Sequence, residues 1–447
     1  MTTSIEQRYI DLHPASLERF GKSKDLFPDG VTHDARRLRP FPTYVSHAEG
    51  SHKWDVDGHR IIDYKTGHGA MILGHSHPAV VSAVKEAMEK GTQMGSSTDA
   101  EIRWGELVRE LVPCAEKVRF QSSGTEAVMM ALRLARAYTG KTKVVKFDDH
   151  FHGWSDYALA GGSGLGGIPT ETLETMIVLP PDDIDLVEKT LTERDDIAAL
   201  MLEPTGSHMG LHPISPEFLG QLREITERTG VLLVMDEVVT GFRLSRGGAS
   251  RRFDVTPDIT TMAKILGGGL PGGAVAGRAE IINLMEFHND GDYDVNERVS
   301  HPGTFNANPL SAAAGVAALE LVRDGDVNER ADAAAAKLKE GVNDLLGRME
   351  IPGRMTGHGS LLFLRLGVDI EVEEDGATFH LTDEEWAKVN DGRRNSQLHL
   401  ALLNNGVDPM SNGTRLIVGQ AHSDQDVKET VDAYEKSLSE VRELGLI

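Results

Sequence analysis

The middle of the chain alternates short apolar runs with stretches in which apolar residues recur every three or four positions. "KVRF" (117–120), "KVVKF" (143–147), "AALMLEP" (198–204), "VLLVMDEVV" (231–239) and "GAVAGR" (273–278) are β-branched or leucine-rich, with polar residues or glycine at their ends. That pattern predicts strands buried on both faces. In "TEAVMMALRLARAYTG" (125–140), Ala127, Met130, Ala131, Leu134, Ala135 and Tyr138 fall on one helical face. Gly140 stands where a C-cap belongs. Strand–helix alternation predicts an α/β fold with a mainly parallel sheet covered by helices, and ligands at the carboxyl ends of the strands. From about residue 315 the pattern changes to long polar helices and an irregular acidic insert, which predicts a smaller C-terminal domain.

Composition narrows the class. The 447 residues leave room for two domains, and 40% apolar with 26% charged residues is ordinary for a soluble globular chain. No run approaches the roughly 18 apolar residues of a membrane span. "MTTSIEQRYIDLHP" lacks a basic region followed by an apolar core, so no secretory signal is expected. Cys114 is the only cysteine, which excludes an intramolecular disulfide and suits a reducing compartment, the cytoplasm. A formal net charge of −23 argues against nucleic acid and anionic membrane as partners. Solubility and a saline habitat explain it equally well. The densest acidic stretch, "DIEVEEDGATFHLTDEEW" (369–386), is expected to be a solvated surface segment.

Candidate chemistry gathers in the central region. In "QSSGTEA" (121–127), small hydroxylated residues follow a strand and open a helix. Backbone N–H groups there make an anion site, and an ordinary Ser/Thr N-cap reads the same way. In "VMDEVVTGF" (234–242), Asp236 and Glu237 end an apolar strand, either as helix-capping acids or as functional carboxylates at the ligand edge. "KFDDHFHGW" (146–154) sets Phe151 and His152 beside Gly153, to stack on a planar ligand or to pack a loop. Lys264 in "TMAKILGGGLPGG" (261–273) sits among apolar residues and glycine. Burial lowers a lysine's pKa and leaves its amine available for carbonyl attack. Pyridoxal phosphate chemistry needs such parts together: a Schiff-base lysine, an anion for the pyridine nitrogen and a phosphate cradle.

The motifs "SSGTEA", "FHG", "LEP", "DEVVTGF", "AKILGGGLPGG" and "HPGTFNANPL" resemble those of the class III pyridoxal-phosphate aminotransferases, in the branch that includes glutamate-1-semialdehyde aminomutase. The resemblance runs from about residue 28 to 345, with a weaker tail. It implies fold type I: a large domain (66–315) with a mainly parallel seven-stranded sheet, and a small α+β domain from both chain ends (1–65 and 316–447). It also implies a homodimer with shared active sites. On the matching positions it implies that Lys264 bonds to the cofactor and shuttles a proton, and that Asp236 pairs with the pyridine nitrogen. It implies that Val238 packs on one ring face and that Phe151, where the family usually has tyrosine, stacks on the other beside His152. Ser123, Gly124 and Thr125 are implied to hold the phosphate, with Thr304 reaching the phosphate of the neighbouring subunit. Glu203 is implied as a supporting acid.

The substrate side is less uniform. In "DGVTHDARRLRPFP" (29–42), Arg36 falls where this branch places an arginine against the substrate carboxylate; alone it reads equally as one of three surface arginines. His68 stands where the aminomutases commonly carry tryptophan. "GVDPMSNGTRLIVGQAH" (406–422) lacks their glutamate and has Thr414 and Arg415 there. "AGGSGLGGIP" (160–169) resembles their gating loop. The balance favours a transaminase moving an amino group between an amino acid or amine and a keto acid. A glutamate-1-semialdehyde aminomutase is the alternative, and a catalytically silent binding homologue the remote one.

Overall fold

The computed structural model describes residues 3–373, 377–410 and 412–447. Two compact units emerge: one from both chain ends, up to His77 and again from Glu329, and one from the middle, Pro78–Asn328. The seams at 77/78 and 328/329 lie later than the expected 65/66 and 315/316. Segment 66–77 is held by backbone bonds to the C-terminal strand region, such as Gln420 N–H to Ile72 O at 2.8 Å. Helix Pro309–Asp324 packs on helices Pro78–Lys90 and Asp99–Leu111 and so belongs to the middle unit.

The middle unit holds the seven-stranded sheet. Its strands are β1 (Lys117–Gln121), β2 (Lys143–Phe147), β3 (Met176–Leu179), β4 (Ile197–Leu202), β5 (Leu232–Asp236), β6 (Ile259–Ala263) and β7 (Gly273–Gly277). Their order is β1-β7-β6-β5-β4-β2-β3. Only β7 runs against the rest, pairing antiparallel with both β1 and β6. The five expected strands form; β2 keeps its expected bounds, β1 runs one residue longer, β4 starts one residue earlier, and β4, β5 and β7 end before their expected ends. β3 and β6 are additions. β6, "ITTMA", carries two threonines whose hydroxyls are satisfied by the next strand: Thr260 Oγ1 donates to Met235 O at 3.1 Å and Thr261 Oγ1 to Asp236 Oδ1 at 3.2 Å. A buried hydroxyl with a partner costs little, so a polar-looking run fills a central strand.

Helix Gly124–Thr139 begins at Ser123, whose hydroxyl accepts Glu126 N–H, and ends at Gly140 with φ 68°. Its buried face is the expected one, against β4, β5, β6 and β7. Tyr138 is the exception: it is exposed, and its hydroxyl donates to Glu280 at 2.9 Å.

The unit from both ends carries two small sheets. One is an antiparallel meander, Val45–Glu49, His52–Asp55 and Arg60–Asp63, with Val407–Asp408 added in parallel. The other joins Gly353–Thr356, Leu361–Leu366 and Arg415–Ile417. Its core brings together Tyr9, Phe41, Tyr64, Leu338, Leu364 and Tyr434. The acidic segment 369–386 departs from the expected solvated strip; 374–376 of it lie outside the described residues. Ile370 and Phe379 are buried with Val368 and Val389, and Val372, Leu381 and Trp386 pack on them. Apolar residues set between the acids build a satellite core, while Asp369, Glu371, Glu373, Asp383 and Glu384 are exposed. Among the described residues, no helix is long and apolar enough to cross a membrane.

Candidate active site

Because β1, β2, β4, β5 and β6 run the same way, their carboxyl ends share one edge of the sheet. Ser123, Phe151, Glu203, Asp236 and Lys264 each follow one of those ends. Residues as far apart in sequence as Ser123 and Lys264 are thereby brought together.

Asp236 ends β5 and is buried. His152 Nδ1 donates to its Oδ2 at 2.8 Å, while Oδ1 accepts from Val238 N–H at 3.1 Å and from Thr261 Oγ1 at 3.2 Å. Three donors from three segments fix the plane of the carboxylate. The other nitrogen of His152, Nε2, is buried without a partner among the described residues.

Lys264 opens a single 3₁₀ turn directly after β6, with φ 54°. That left-handed conformation is strained for a long side chain and costs roughly 1–3 kcal/mol. The turn is held from below: Trp104, fully buried, donates Nε1–H to Leu266 O at 2.9 Å, and helix Pro309–Asp324 packs against it. Part of the Lys264 side chain meets solvent, yet its ammonium lies deep enough that burial lowers its pKa below the ordinary lysine value. Asp236 and Glu203 oppose that shift.

The start of helix Gly124–Thr139 closes on the same place. Glu126 turns back to accept Ser122 N–H at 2.8 Å, so the cap consumes Ser122 and the Ser123 hydroxyl. The backbone N–H groups of Gly124 and Thr125 have no partner among the described residues. A Cβ on Gly124 would lie 2.9 Å from both methyls of Val238, so glycine lets the helix start reach Val238. Gly153, at φ 86°, brings the 150–154 loop against the same helix start; a Cβ there would sit 2.5 Å from Thr125 Oγ1.

Glu203 is held by backbone amides from two loops. Its Oε1 accepts Phe151 N–H and His208 N–H, both at 2.8 Å, and its Oε2 accepts Met209 N–H at 3.0 Å. Burial pushes its pKa up, against His152 and His208. The carboxylate is occupied in tying two loops together, which seats Phe151. The Phe151 ring is 53% exposed and stacks on His208, with centroids 5.9 Å apart and planes 19° apart. His208, Thr261 and His150, whose Nδ1 accepts Glu203 N–H at 3.0 Å, were not singled out from sequence. Nothing in their local spacing marks them.

Thr304 lies on an exposed segment where its carbonyl accepts from Gln93 Nε2, and its hydroxyl has no partner among the described residues. Arg36 and His68 belong to the other unit. There they line a pocket of about 520 Å³ with Lys53, Lys65, His75 and Asp408. Arg36 is exposed and donates to Thr32 Oγ1 at 2.8 Å; His68 stacks on His33 with centroids 5.2 Å apart. The floor of that pocket is ionic, a feature the sequence did not disclose. Lys53 Nζ pairs with Asp63 at 3.0 Å and with Asp408, Lys65 Nζ with Asp408 at 3.0 Å, and His75 Nε2 with Asp63 at 2.7 Å.

Residues 34–417 match the family described as Aminotransferase class-III. Among curated relatives, the glutamate-1-semialdehyde 2,1-aminomutase of Sulfurisphaera tokodaii is 37% identical over 431 residues, covering 94% of this chain and 98% of that one. Among solved structures, an omega-transaminase from Sphaerobacter thermophilus superposes with a TM-score of 0.86 at 33% identity, covering 96% of this chain and 98% of that one. A transaminase with pyridoxal phosphate bound superposes with a TM-score of 0.85 at 29% identity, over 97% and 99% of the two chains. The lysine, the aspartate and the open helix start thus sit in a chain that belongs, by sequence and by fold, to the class III aminotransferases.

Proposed function

We propose that the chain is a pyridoxal-phosphate enzyme that moves an amino group on a small carboxylate-bearing substrate. One observation carries this: Lys264 and Asp236 stand at the carboxyl ends of adjacent parallel strands, the acid fixed by three donors and the amine desolvated. The chain's residues fit the cofactor. The free N–H groups of Gly124 and Thr125, at the start of a 16-residue helix, suit its phosphate. Asp236 suits its ring nitrogen, and Val238 and Phe151 suit its two faces. Bound there, the cofactor would supply an electron sink and a carbonyl for amino exchange. Lys264 contributes an amine that can attach to that carbonyl and also accept and return a proton. Arg36 offers the fork that a substrate carboxylate takes up.

Two reactions satisfy this machinery. The aminomutase reading, placed second by the sequence, is supported better by the relatives, since that name belongs to a chain 37% identical over nearly its whole length. It assigns the chain glutamate 1-semialdehyde as substrate. Transamination stays as the second reading because His68 and Arg415 replace residues expected of aminomutases. We propose further that the working form is a homodimer in which Thr304 serves the neighbouring copy's cofactor phosphate, and that it works in the cytoplasm, where a lone buried thiol suits the reducing environment. A paired assay separates the reactions. The aminomutase reading expects 5-aminolevulinate from glutamate 1-semialdehyde with no keto acid added. Amino transfer from an amino acid to pyruvate or 2-oxoglutarate, with no 5-aminolevulinate formed, would reverse it in favour of transamination.

A further inference from the structure

The N-terminal region carries a second cluster of donor atoms, made of residues with no part in the assignments above. His13 sits between helices Ser4–Leu12 and Pro14–Lys24 and is 1% exposed. Its Nδ1 lies 2.8 Å from Tyr9 O. A carbonyl oxygen can only accept, so Nδ1 carries the proton and Nε2 is left to face inward. What it faces is Asp55 Oδ2, at 3.4 Å. The same Oδ2 is 2.9 Å from His59 Nδ1. The other oxygen, Oδ1, is already taken by Asp57 N–H at 3.0 Å and His59 N–H at 2.8 Å. The carboxylate is thus held by one oxygen and presents the other, and Nε2 of His13, Oδ2 of Asp55 and Nδ1 of His59 all lie within 4.8 Å of one another.

We infer that His13, Asp55 and His59 form a binding site for one divalent transition-metal ion, zinc being the best match to two imidazole nitrogens and one carboxylate oxygen. Donors about 2.0–2.2 Å from a tetrahedral zinc are roughly 3.3–3.5 Å from each other. The His13–Asp55 separation is already in that range. His59 must open from Asp55 by about 0.5 Å while its Nδ1, within 4.8 Å of His13 Nε2, settles to the same spacing from that atom, and its side chain, 38% exposed, has room to turn. Two features of the surroundings belong to built metal sites. The Nδ1–H of His13 is tied to a backbone carbonyl, which fixes the ligating tautomer and the ring plane. The carboxylate is oriented by two backbone amides. Absence of thiolate among the donors selects against softer ions. Water completes the coordination from the side where His59 is exposed. The ion joins the turn between the two N-terminal helices to the 55–59 turn, so its role is to clip the N-terminal segment to the meander. Asp57 already makes that link by hydrogen bonding, accepting Ala15 N–H at 2.6 Å and Ser16 N–H at 3.1 Å.

The test uses the full-length holoenzyme, freed of metal by chelator and dialysed, then titrated with Zn²⁺ alone and with Co²⁺ alone. Expected are one ion per chain by elemental analysis, a visible Co²⁺ spectrum of low coordination number, and a higher unfolding temperature with Zn²⁺. His59→Ala, at a half-exposed position that tolerates truncation, should weaken Zn²⁺ binding by at least about tenfold with an unchanged circular dichroism spectrum and unchanged cofactor content. His13→Ala should do the same to Co²⁺ absorption in whatever fraction folds. His380→Ala, a surface histidine 77% exposed, should change nothing. Less than one ion per chain on the wild type, binding that survives His59→Ala at full strength, or binding lost in His380→Ala would each overturn the assignment. It does not depend on which amino-transfer reaction the enzyme performs.

Discussion

His152 Nδ1 donates to Asp236 Oδ2 at 2.8 Å, in a contact between a loop after β2 and the end of β5 that is sealed from solvent. The histidine gives the aspartate an orientation that Val238 N–H and Thr261 alone leave incomplete, since they reach only its other oxygen. A carboxylate so fixed costs no reorganisation when charge develops on a neighbouring group.

Asp236→Asn keeps the shape and removes the charge. Turnover should fall by at least about 100-fold, in line with other removed electrostatic partners. Steady-state kinetics on cofactor-saturated protein checks this. Turnover within a factor of a few of wild type would mean that a different acid serves the ring nitrogen.

Lys264→Ala should fold and retain cofactor only without covalent attachment. Borohydride reduction of the wild-type holoenzyme and peptide mapping should label Lys264 and no other lysine. Burial lowers the Lys264 pKa, so the neutral amine persists to lower pH than on a solvent lysine, whose pKa is about 10.4. The rate of cofactor attachment to the apoenzyme should therefore reach its plateau at a pH below that value; a plateau only above it would contradict a desolvated amine.

Gly153→Ala places a methyl 2.5 Å from Thr125 Oγ1, at a φ of 86° that alanine tolerates poorly. The 150–154 loop must shift, carrying Phe151 and His152 with it. Cofactor affinity should drop by at least about tenfold, corresponding to about 1.4 kcal/mol, while β2 and β5 are unaffected. Equilibrium dialysis of the apoenzyme with pyridoxal phosphate reads it out.

Lys53→Met removes the one cation shared by the buried Asp63 and Asp408, leaving His75 beside the first and Lys65 beside the second. Breaking a buried pair from one side costs about 3–5 kcal/mol when the remaining charge is uncompensated; with Lys65 and His75 still in place the loss should fall below that range, measurable by urea unfolding at pH 7. The pH dependence has a definite sign. For both acids burial acts upward, but Lys53 leads the groups that hold them below the ordinary carboxylate range. Their contribution is complete above the unfolded pKa of about 3.9 and is lost as pH falls below it. The deficit of the variant should therefore shrink as pH falls through about 4. A deficit that stays constant to pH 3 would show that lost packing, not charge, is responsible.

The five runs from "KVRF" to "GAVAGR" and the face of helix 124–139 were legible because strand and helix periodicities are local, written in residues a few positions apart. The motif order around Lys264 was legible too, since each motif occupies one strand end and its following loop. Sequence alone therefore determined most strands of the sheet, the edge at which chemistry gathers and the lysine, aspartate and helix start on it. Tertiary structure decided the rest. β6 was hidden because its threonines look polar until β5 supplies Met235 O and Asp236 Oδ1. The partner of Asp236 was hidden because His152 lies 84 residues away. The partners of Glu203 were hidden because the three backbone amides that reach it come together only in the fold. The ionic floor under Arg36 and His68 joins Asp63 to Asp408, and the His13–Asp55–His59 cluster joins a helix junction to a strand turn. Hydrogen bonds and ion pairs act over about 3 Å in space whatever the separation in sequence, and only the folded chain sets which groups come that close.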